Sequence, residues 1–288
     1  MEQYKDGYVI TEIDPLNGGR IAFQNGVELA PGQVTGDVSE RDLRRIQIRE
    51  TILSHFDKEE QLFNQGIKTL SLFFIDEVAK YRQYDADGHE LPGEYGSIFE
   101  EEYRSVLNQR LSLFNTPYQQ YLQSISTADT HKGYFSIDKK TGRPVDSQIK
   151  RGADFSDDIS AYELILKRKE VLLDLKEPTR FIFSHSALRE GWDNPNVFQI
   201  CTLKHSDSTT QKRQEVGRGL RLCVNAEGTR MDAEVCGLDQ VQVLNKLTVI
   251  ASESYAQFVG DLQKKIKEML YQRPTQATVE YFIGRTVM

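Results

Sequence analysis

Cysteine is scarce in this sequence: Cys201, Cys223 and Cys236 stand far apart among 288 residues, with no CxxC pair and no histidine at metal-ligand spacing. An odd, unpatterned set argues against a disulfide framework or a thiolate zinc site and implies reduced thiols. Long apolar runs are missing as well. Nothing approaches the roughly 18 apolar residues of a membrane-spanning helix, and the start, MEQYKDGYVITEIDPLNGG, contains no apolar leader core. A soluble, cytoplasmic protein without a membrane partner is expected. Positive charge is in deficit, 36 Lys and Arg against 43 Asp and Glu, for a net charge of −7. That balance argues against a surface basic all over and leaves room only for a local basic track. The five histidines, His55, His89, His131, His185 and His205, form no pair with ligand or nucleophile–base spacing, so no metal site is expected.

What is present is ordinary for a globular protein, 39% hydrophobic and 27% charged residues. Residues 1–38 alternate apolar and polar positions around Asn17-Gly18-Gly19 and Asn25-Gly26, a pattern of short β-hairpins. Ser39, followed by Asp42, opens a helical period through Leu43, Ile46, Ile52, Leu53, Phe56, Leu62 and Phe63 that Gly66 closes. IKTLSLFFI, 67–75, reads as a buried strand, and so do RFIFS, 180–184, and VFQICTL, 197–203. Asp85 to Gly96 reads as a loop, and Ile98 to Ile125 as helix broken at Pro117. The charged, glycine-bearing stretch 126–158 reads as an insertion. Helices are expected over 159–175, 209–220 and from Ser252 onward, and strands over 222–235 and 241–250. Strands alternating with helices define an α/β class with a mostly parallel, covered sheet.

Chemistry concentrates in SHSALREGWDNPNVFQICTLKHSDSTTQKRQEVGRGLR, 184–221. Gln214, Arg218 and Arg221 are spaced by four and three, so on a helix they share one face. Guanidinium groups stay charged and offer forked donors that suit phosphate oxygens. An isolated RxxR is better read as a solvated basic face. Here a Gln, a Gly and an upstream EGWD accompany it.

These segments resemble two consecutive signatures of superfamily 2 helicases: Ser186 to Asp193, SALREGWD, resembles motif V, and Gln214 to Arg221, QEVGRGLR, fits the QxxGRxxR of motif VI. HSALREGWDNPNVFQICTL, LSLFFIDEVAKYR, RIQIRETI and LNKLTVIASESY each resemble the restriction (Res) subunit of type III restriction enzymes, and they stand in that family's order over about residues 40–270. The resemblance implies a RecA-like fold and, within it, the second (helicase C-terminal) lobe. The expected organisation is an N-terminal β-hairpin arm at 1–38, the lobe at 39–272 with an insertion at about 85–158, and the start of a linker to a following domain at 273–288.

The resemblance further implies Arg218 and Arg221 as arginine fingers and places Gly191, Asp193, Gln214 and Gly217 beside the nucleotide. Ser186 and Arg189 would lie at the nucleic-acid backbone. ATP and Mg²⁺ serve the full-length enzyme of such a family, and its partners are a first RecA-like lobe and a nuclease domain of the same polypeptide, a methyltransferase subunit and double-stranded DNA.

Asp76-Glu77 after an apolar strand also has the shape of a Walker B segment. That reading needs an upstream GxxxxGK[ST], and neither Gly18-Gly19-Arg20 nor Gly142-Arg143 supplies it. No acidic pair with a downstream ExK marks a nuclease. The chain is therefore expected to be part of a longer enzyme, to bind no cofactor alone and not to hydrolyse ATP by itself. The alternative is a non-catalytic DNA- or partner-binding remnant of a superfamily 2 helicase.

Overall fold

The structure is a computed structural model, and it describes residues 9–15, 19–30, 40–85, 87, 89–111, 116–137, 144–145, 171–185, 194–204, 209–251, 260 and 263–264. The chain divides into two compact units, Met1–Ile46 and Gln47–Met288.

In the first unit β1 (Ile10–Asp14), β2 (Arg20–Phe23) and β3 (Glu28–Leu29) form an antiparallel sheet in that order, as the hairpin pattern predicts. Gly26 turns β2 into β3 at φ 80°, and Asn25 Oδ1 accepts from the Val27 amide at 3.2 Å, the Asn-Gly chemistry such a turn requires. Ile13, Ile21 and Leu29 pair across the three strands. Arg20 bridges Glu28 at 2.8 Å and Glu12 at 3.4 Å.

Helix α1 (Glu40–Phe63) ends as Gly66 foretells. Gly66 takes φ 66°, its amide donates to Phe63 O at 3.0 Å, and Ile67 N donates to Leu62 O at 3.3 Å. This is the Schellman closure, sealed by contact between buried Leu62 and Ile67.

The second unit is built on a five-stranded sheet, all parallel. Its strands are β4 (Leu70–Phe74), β7 (His131–Tyr134), β10 (Phe181–Ser184), β11 (Val197–Thr202) and β12 (Thr248–Ile250), in the spatial order β12-β11-β4-β10-β7. Central β4, β10 and β11 are buried along their whole length, which is why they read as continuous apolar runs. One face, through Phe73, Phe181, Phe183 and Cys201, packs on Ile48, Ile52 and Phe56 of α1 and on Ile98, Phe99, Tyr103 and Val106 of α2 (Glu94–Arg110). Tyr118 and Leu122 of α3 (Pro117–Gln123) complete that layer. The alternate residues Leu70, Leu72, Phe74, Ile182 and Ile200 make the core of the other face with Tyr134 and Leu172. The second unit is an α/β, RecA-like lobe, and the first carries an antiparallel arm.

Four stretches differ from their sequence pattern. His131–Tyr134 supplies an edge strand from inside the stretch read as an insertion, because HKGY carries no apolar alternation and only His131 and Tyr134 are buried. β5 (Arg82–Tyr84), just before the stretch read as a polar loop, pairs with β6 (Glu90–Pro92) inside it as a hairpin. Residues 136–137 and 144–145 form the short pair β8 and β9. The expected strands at 222–235 and 241–250 are replaced by one bridge, Val224 with Arg230, then by α5 (Ala233–Cys236), α6 (Leu238–Leu244) and only the short β12. The valines of 235–243 imitate strand alternation, but Asp232 caps α5 by accepting from the Glu234 and Val235 amides, and Gly237 at φ 85° restarts the chain as α6. The helix expected over 159–175 is described only from residue 171, and the one expected after Ser252 lies almost wholly outside the described residues.

Inside the helix-covered face lies a polar network. Arg180, just before β10, donates from Nη1 to Glu59 Oε2 at 2.7 Å, and both side chains are fully buried. Tyr118 OH donates to the same oxygen at 2.9 Å, while Arg180 Nη2 bonds Tyr103 OH. His55 Nδ1 meets Ser71 Oγ at 2.8 Å, Ser71 donates to Gln199 Oε1 at 2.9 Å, and Gln199 Nε2 donates to Ser54 O at 3.2 Å. One network thus ties α1, α2 and α3 to β4, β10 and β11. Burial by itself raises the Glu59 carboxyl, but the Arg180 charge, with His55 and Tyr118, outweighs it and holds the group at about 2. Burial lowers His55, and it lowers His131 to about 4 against the pull of Glu100.

The buried pair and the buried histidines can each be tested. Glu59→Gln leaves a buried guanidinium without its counter-charge and is expected to cost about 3–5 kcal/mol in urea denaturation; a loss under about 1 kcal/mol would show the pair to be dispensable. All three shifts are downward, so each adds stability above the group's unfolded value and loses it as pH falls through the folded one. Stability therefore declines from about pH 6.5 toward 4 through the histidines and from about 4.5 toward 2 through Glu59. His131→Gln should flatten the first decline by up to about 3 kcal/mol between pH 7 and 4, read from denaturation midpoints across pH.

Candidate functional site

The strands β10, β4 and β11 end level with one another. Ile75 N donates to Ser184 O at 2.9 Å and Leu203 N to Phe74 O at 2.8 Å, so Asp76, His185 and Lys204 leave the sheet at one edge, its carboxyl edge. From β4 the chain crosses to β7 on one side, and from β11 it continues to β12 on the other. The carboxyl ends of β4 and β11 are therefore the topological switch point, where open parallel sheets place their ligands.

Helix α4 (Thr209–Gly217) follows β11 at this edge and carries the QxxGRxxR segment. Gln214 is exposed on it, Val216 is buried, and Gly217 is its last residue. Arg218 lies in the next turn, 7% exposed, with its amide donating to Glu215 O at 3.3 Å. Arg221 is exposed and folds back, its Nη1 donating to the carbonyl oxygens of Gly217 and Arg218 at 2.8 Å each. A cation there satisfies carbonyls that a helix end leaves open and meets the negative end of its dipole. The single helical face expected for Gln214, Arg218 and Arg221 does not form, because the helix stops at Gly217. The three are gathered instead in one helix-and-turn.

Gly219 permits a close approach in that turn. A Cβ on it would stand 2.5 Å from Leu247 Cδ1 and 3.3 Å from Ile200 Cδ1, so the missing side chain lets the turn lie against β11 and the residue leading into β12. Glu215 meets Lys204 at 2.6 Å, the two side chains 6% and 9% exposed, and Lys204 Nζ stands 5.4 Å from the Phe74 ring centroid. Neither Gly219 nor the Lys204–Glu215 pair was legible as part of the site, since ten residues separate the pair's partners and no periodicity links them.

Ser186, Arg189, Gly191 and Asp193 lie outside the described residues. The segment resumes at Asn194, whose Oδ1 accepts from the Asn196 amide at 2.9 Å, the Asx chemistry that Asn-Pro implies. Asn196 then bonds both backbone groups of Val224 at 2.8 Å, tying the start of β11 to the chain beyond the arginine turn. Asp76 is held by Lys80, which also stands over the Tyr95 ring, and Glu77 is exposed. Among the described residues one group, Asp85, Asp87 and His89, brings three ligand atoms within 4.8 Å. It sits exposed on the β5–β6 turn, where Asp85 already accepts from the His89 amide at 2.8 Å. Turn chemistry accounts for that arrangement. No described helix is long and apolar enough to cross a membrane.

Fold and edge together define a RecA-like α/β lobe with a glycine-relieved arginine turn at its switch point. No protein-family model matches the chain. Curated proteins do. The Res subunit of the type III restriction-modification enzyme EcoP15I from Escherichia coli is 41% identical over 221 residues, and that of EcoPI from Escherichia phage P1 is 40% identical over 219; each alignment covers 74% of this chain and 21% of the relative. The StyLTI Res subunit from Salmonella typhimurium is 35% identical over 238 residues, covering 74% of this chain and 22% of its own length. Over that shared stretch the chain belongs to the Res-subunit family of type III restriction-modification enzymes, and it spans about a fifth of the length of the curated relatives it matches.

Packing at Gly219 can be tested directly. Gly219→Ala requires only that the end of Leu247 move, whereas Gly219→Val forces the turn off β11 and should cost about 1–3 kcal/mol in urea denaturation. Equal stability of the Val variant would contradict the close approach.

Proposed function

We propose that this chain is the second RecA-like motor lobe of an ATP-dependent type III restriction endonuclease, and that it supplies arginines to an ATP site whose phosphate cradle lies on another lobe. The observation that carries the reading is the QxxGRxxR turn, seated at the switch point with Arg221 exposed. Arg221 spends only Nη1 on the helix end; among the described residues its Nε and Nη2 have no hydrogen-bond partner. Two carbonyls thus fix the plane of a guanidinium that faces solvent. A guanidinium so oriented suits the charge that develops on a transferred phosphoryl group, and it needs little reorganisation as the reaction proceeds. Arg218, Gln214 and Gly217 belong to the same turn, and Gly191 and Asp193 are assigned to the nucleotide by motif V.

The missing GxxxxGK[ST] supports a division of labour. A first RecA-like lobe would hold ATP and Mg²⁺, and this lobe would close over it. Ser186 and Arg189 would contact the backbone of double-stranded DNA, coupling its passage to closure. A nuclease domain of the same polypeptide, a methyltransferase subunit and a cytoplasmic setting complete the proposal.

The test uses a polypeptide in which this chain is joined to a lobe carrying GxxxxGK[ST]. Arg221→Ala is expected to lower DNA-stimulated ATP turnover by about 10³-fold while leaving the melting temperature nearly unchanged, because the residue is exposed. Undiminished turnover would overturn the finger assignment and favour a non-catalytic binding module.

A further inference from the structure

We infer that Lys204 and Glu215 are positioning residues: a buried ionic clamp, seated on the Phe74 ring at the switch point, that holds the arginine turn in the register its chemistry needs. The inference deepens the proposed function and rests on it.

Helix α4, TTQKRQEVG, has one large apolar residue, Val216, and so lacks the apolar stripe by which a surface helix is normally fixed to its sheet. On this short helix Lys212, Glu215 and Val216 are buried, and the Lys204–Glu215 pair ties it to the chain leaving β11, beside Phe74 of the sheet's central strand. Lys204 stands two residues past the end of β11, and its ammonium is held over the Phe74 ring and against the Glu215 carboxylate. The neighbouring Leu203 N to Phe74 O hydrogen bond holds that residue alongside β4.

From Glu215 the constraint passes along covalent and hydrogen-bonded links. Arg218 N donates to Glu215 O, Gly219 N donates to Val216 O at 3.0 Å, and Arg221 Nη1 reaches back to Gly217 O and Arg218 O. A shift of Glu215 therefore shifts both arginines. Energetically the pair is a poor way to gain stability, since desolvating two charges offsets most of their attraction and an apolar pair of similar volume does as well or better. What it adds is direction. Carboxylate and ammonium meet in one geometry, whereas two apolar side chains slide, and a misplacement of about 1 Å at a reacting centre is enough to cost about 100-fold in rate.

The test separates positioning from folding. In the joined polypeptide described above, the double variant Lys204→Met with Glu215→Leu should keep or raise the melting temperature. Its kcat for DNA-stimulated ATP hydrolysis should fall about 100-fold with KM for ATP changed less than about threefold. Lys204→Arg alone, which preserves charge on Phe74 and the pairing, should restore kcat to within about tenfold of wild type. Hydrogen exchange on this chain should show faster exchange of the α4 amides in the double variant, with those of β4 unchanged. Wild-type kcat in the double variant overturns the clamp, as does unaltered exchange in α4. Arg221→Ala, assayed alongside, keeps the two ideas apart: an inactive Arg221→Ala with a fully active double variant removes the clamp alone, and a fully active Arg221→Ala removes the reading beneath it.

Discussion

The Arg180–Glu59 pair is the constraint around which the second unit is arranged. A guanidinium and a carboxylate, both without solvent contact, are tolerable only when each has its counterpart and further hydrogen bonds help to satisfy them, even though among the described residues Arg180 Nε and Glu59 Oε1 have no hydrogen-bond partner. Those requirements recruit Tyr118 from α3, Tyr103 from α2 and His55 beside Glu59 on α1, while Ser71 and Gln199 extend the network to two central strands. The three helices cannot slide over the sheet without breaking a charged hydrogen bond in a medium of low dielectric. A purely apolar layer of Phe56, Phe73, Phe99 and Phe181 would fill the same space with less control over direction.

From that fixed layer the geometry of the opposite edge follows. Because β4, β10 and β11 are paired in parallel and locked in register, their carboxyl ends come out level, and the loops that carry chemistry start from one line. A site on loops borrows its precision from the strands beneath. Here the borrowing is visible at two points, Gly219 lying against Ile200 and Leu247, and Lys204 lying over Phe74. Both connect the arginine turn to β4 and β11 rather than to the helix layer.

Two kinds of buried ion pair thus serve different ends in one small unit. Arg180–Glu59 lies within the core, pulled away from any ligand, and sets how the layers face each other. Lys204–Glu215 lies at the rim of the other face, where a helix with almost no apolar surface has to be placed. The same pairing of charge gives orientation in both places, and the depth of burial decides whether it acts on the fold or on the site.

Much of this was legible in the residues alone. The apolar runs of β4, β10 and β11 and the Gly66 stop of α1 announced a covered parallel sheet, and the order of SALREGWD and QEVGRGLR announced the family, because such signals are local and carry their own periodicity or spacing. The edge strand at His131–Tyr134 was not legible, since a strand with one partner needs little apolar character, and HKGY shows none. Nor were α5 and α6, whose valines imitate a strand until Asp232 and Gly237 are seen to cap and restart helices. The arginine turn was legible as a motif but not as a shape: spacing placed Gln214, Arg218 and Arg221 on one helical face, while the fold ends the helix at Gly217. The sequence by itself determined the class, the family and the residue types at the carboxyl edge of the sheet. Tertiary structure alone decided which distant partners meet there, Lys204 with Glu215 and Gly219 with Leu247. The physical reason is that pairing across a sheet edge depends on register and layer packing, which no window of consecutive residues contains.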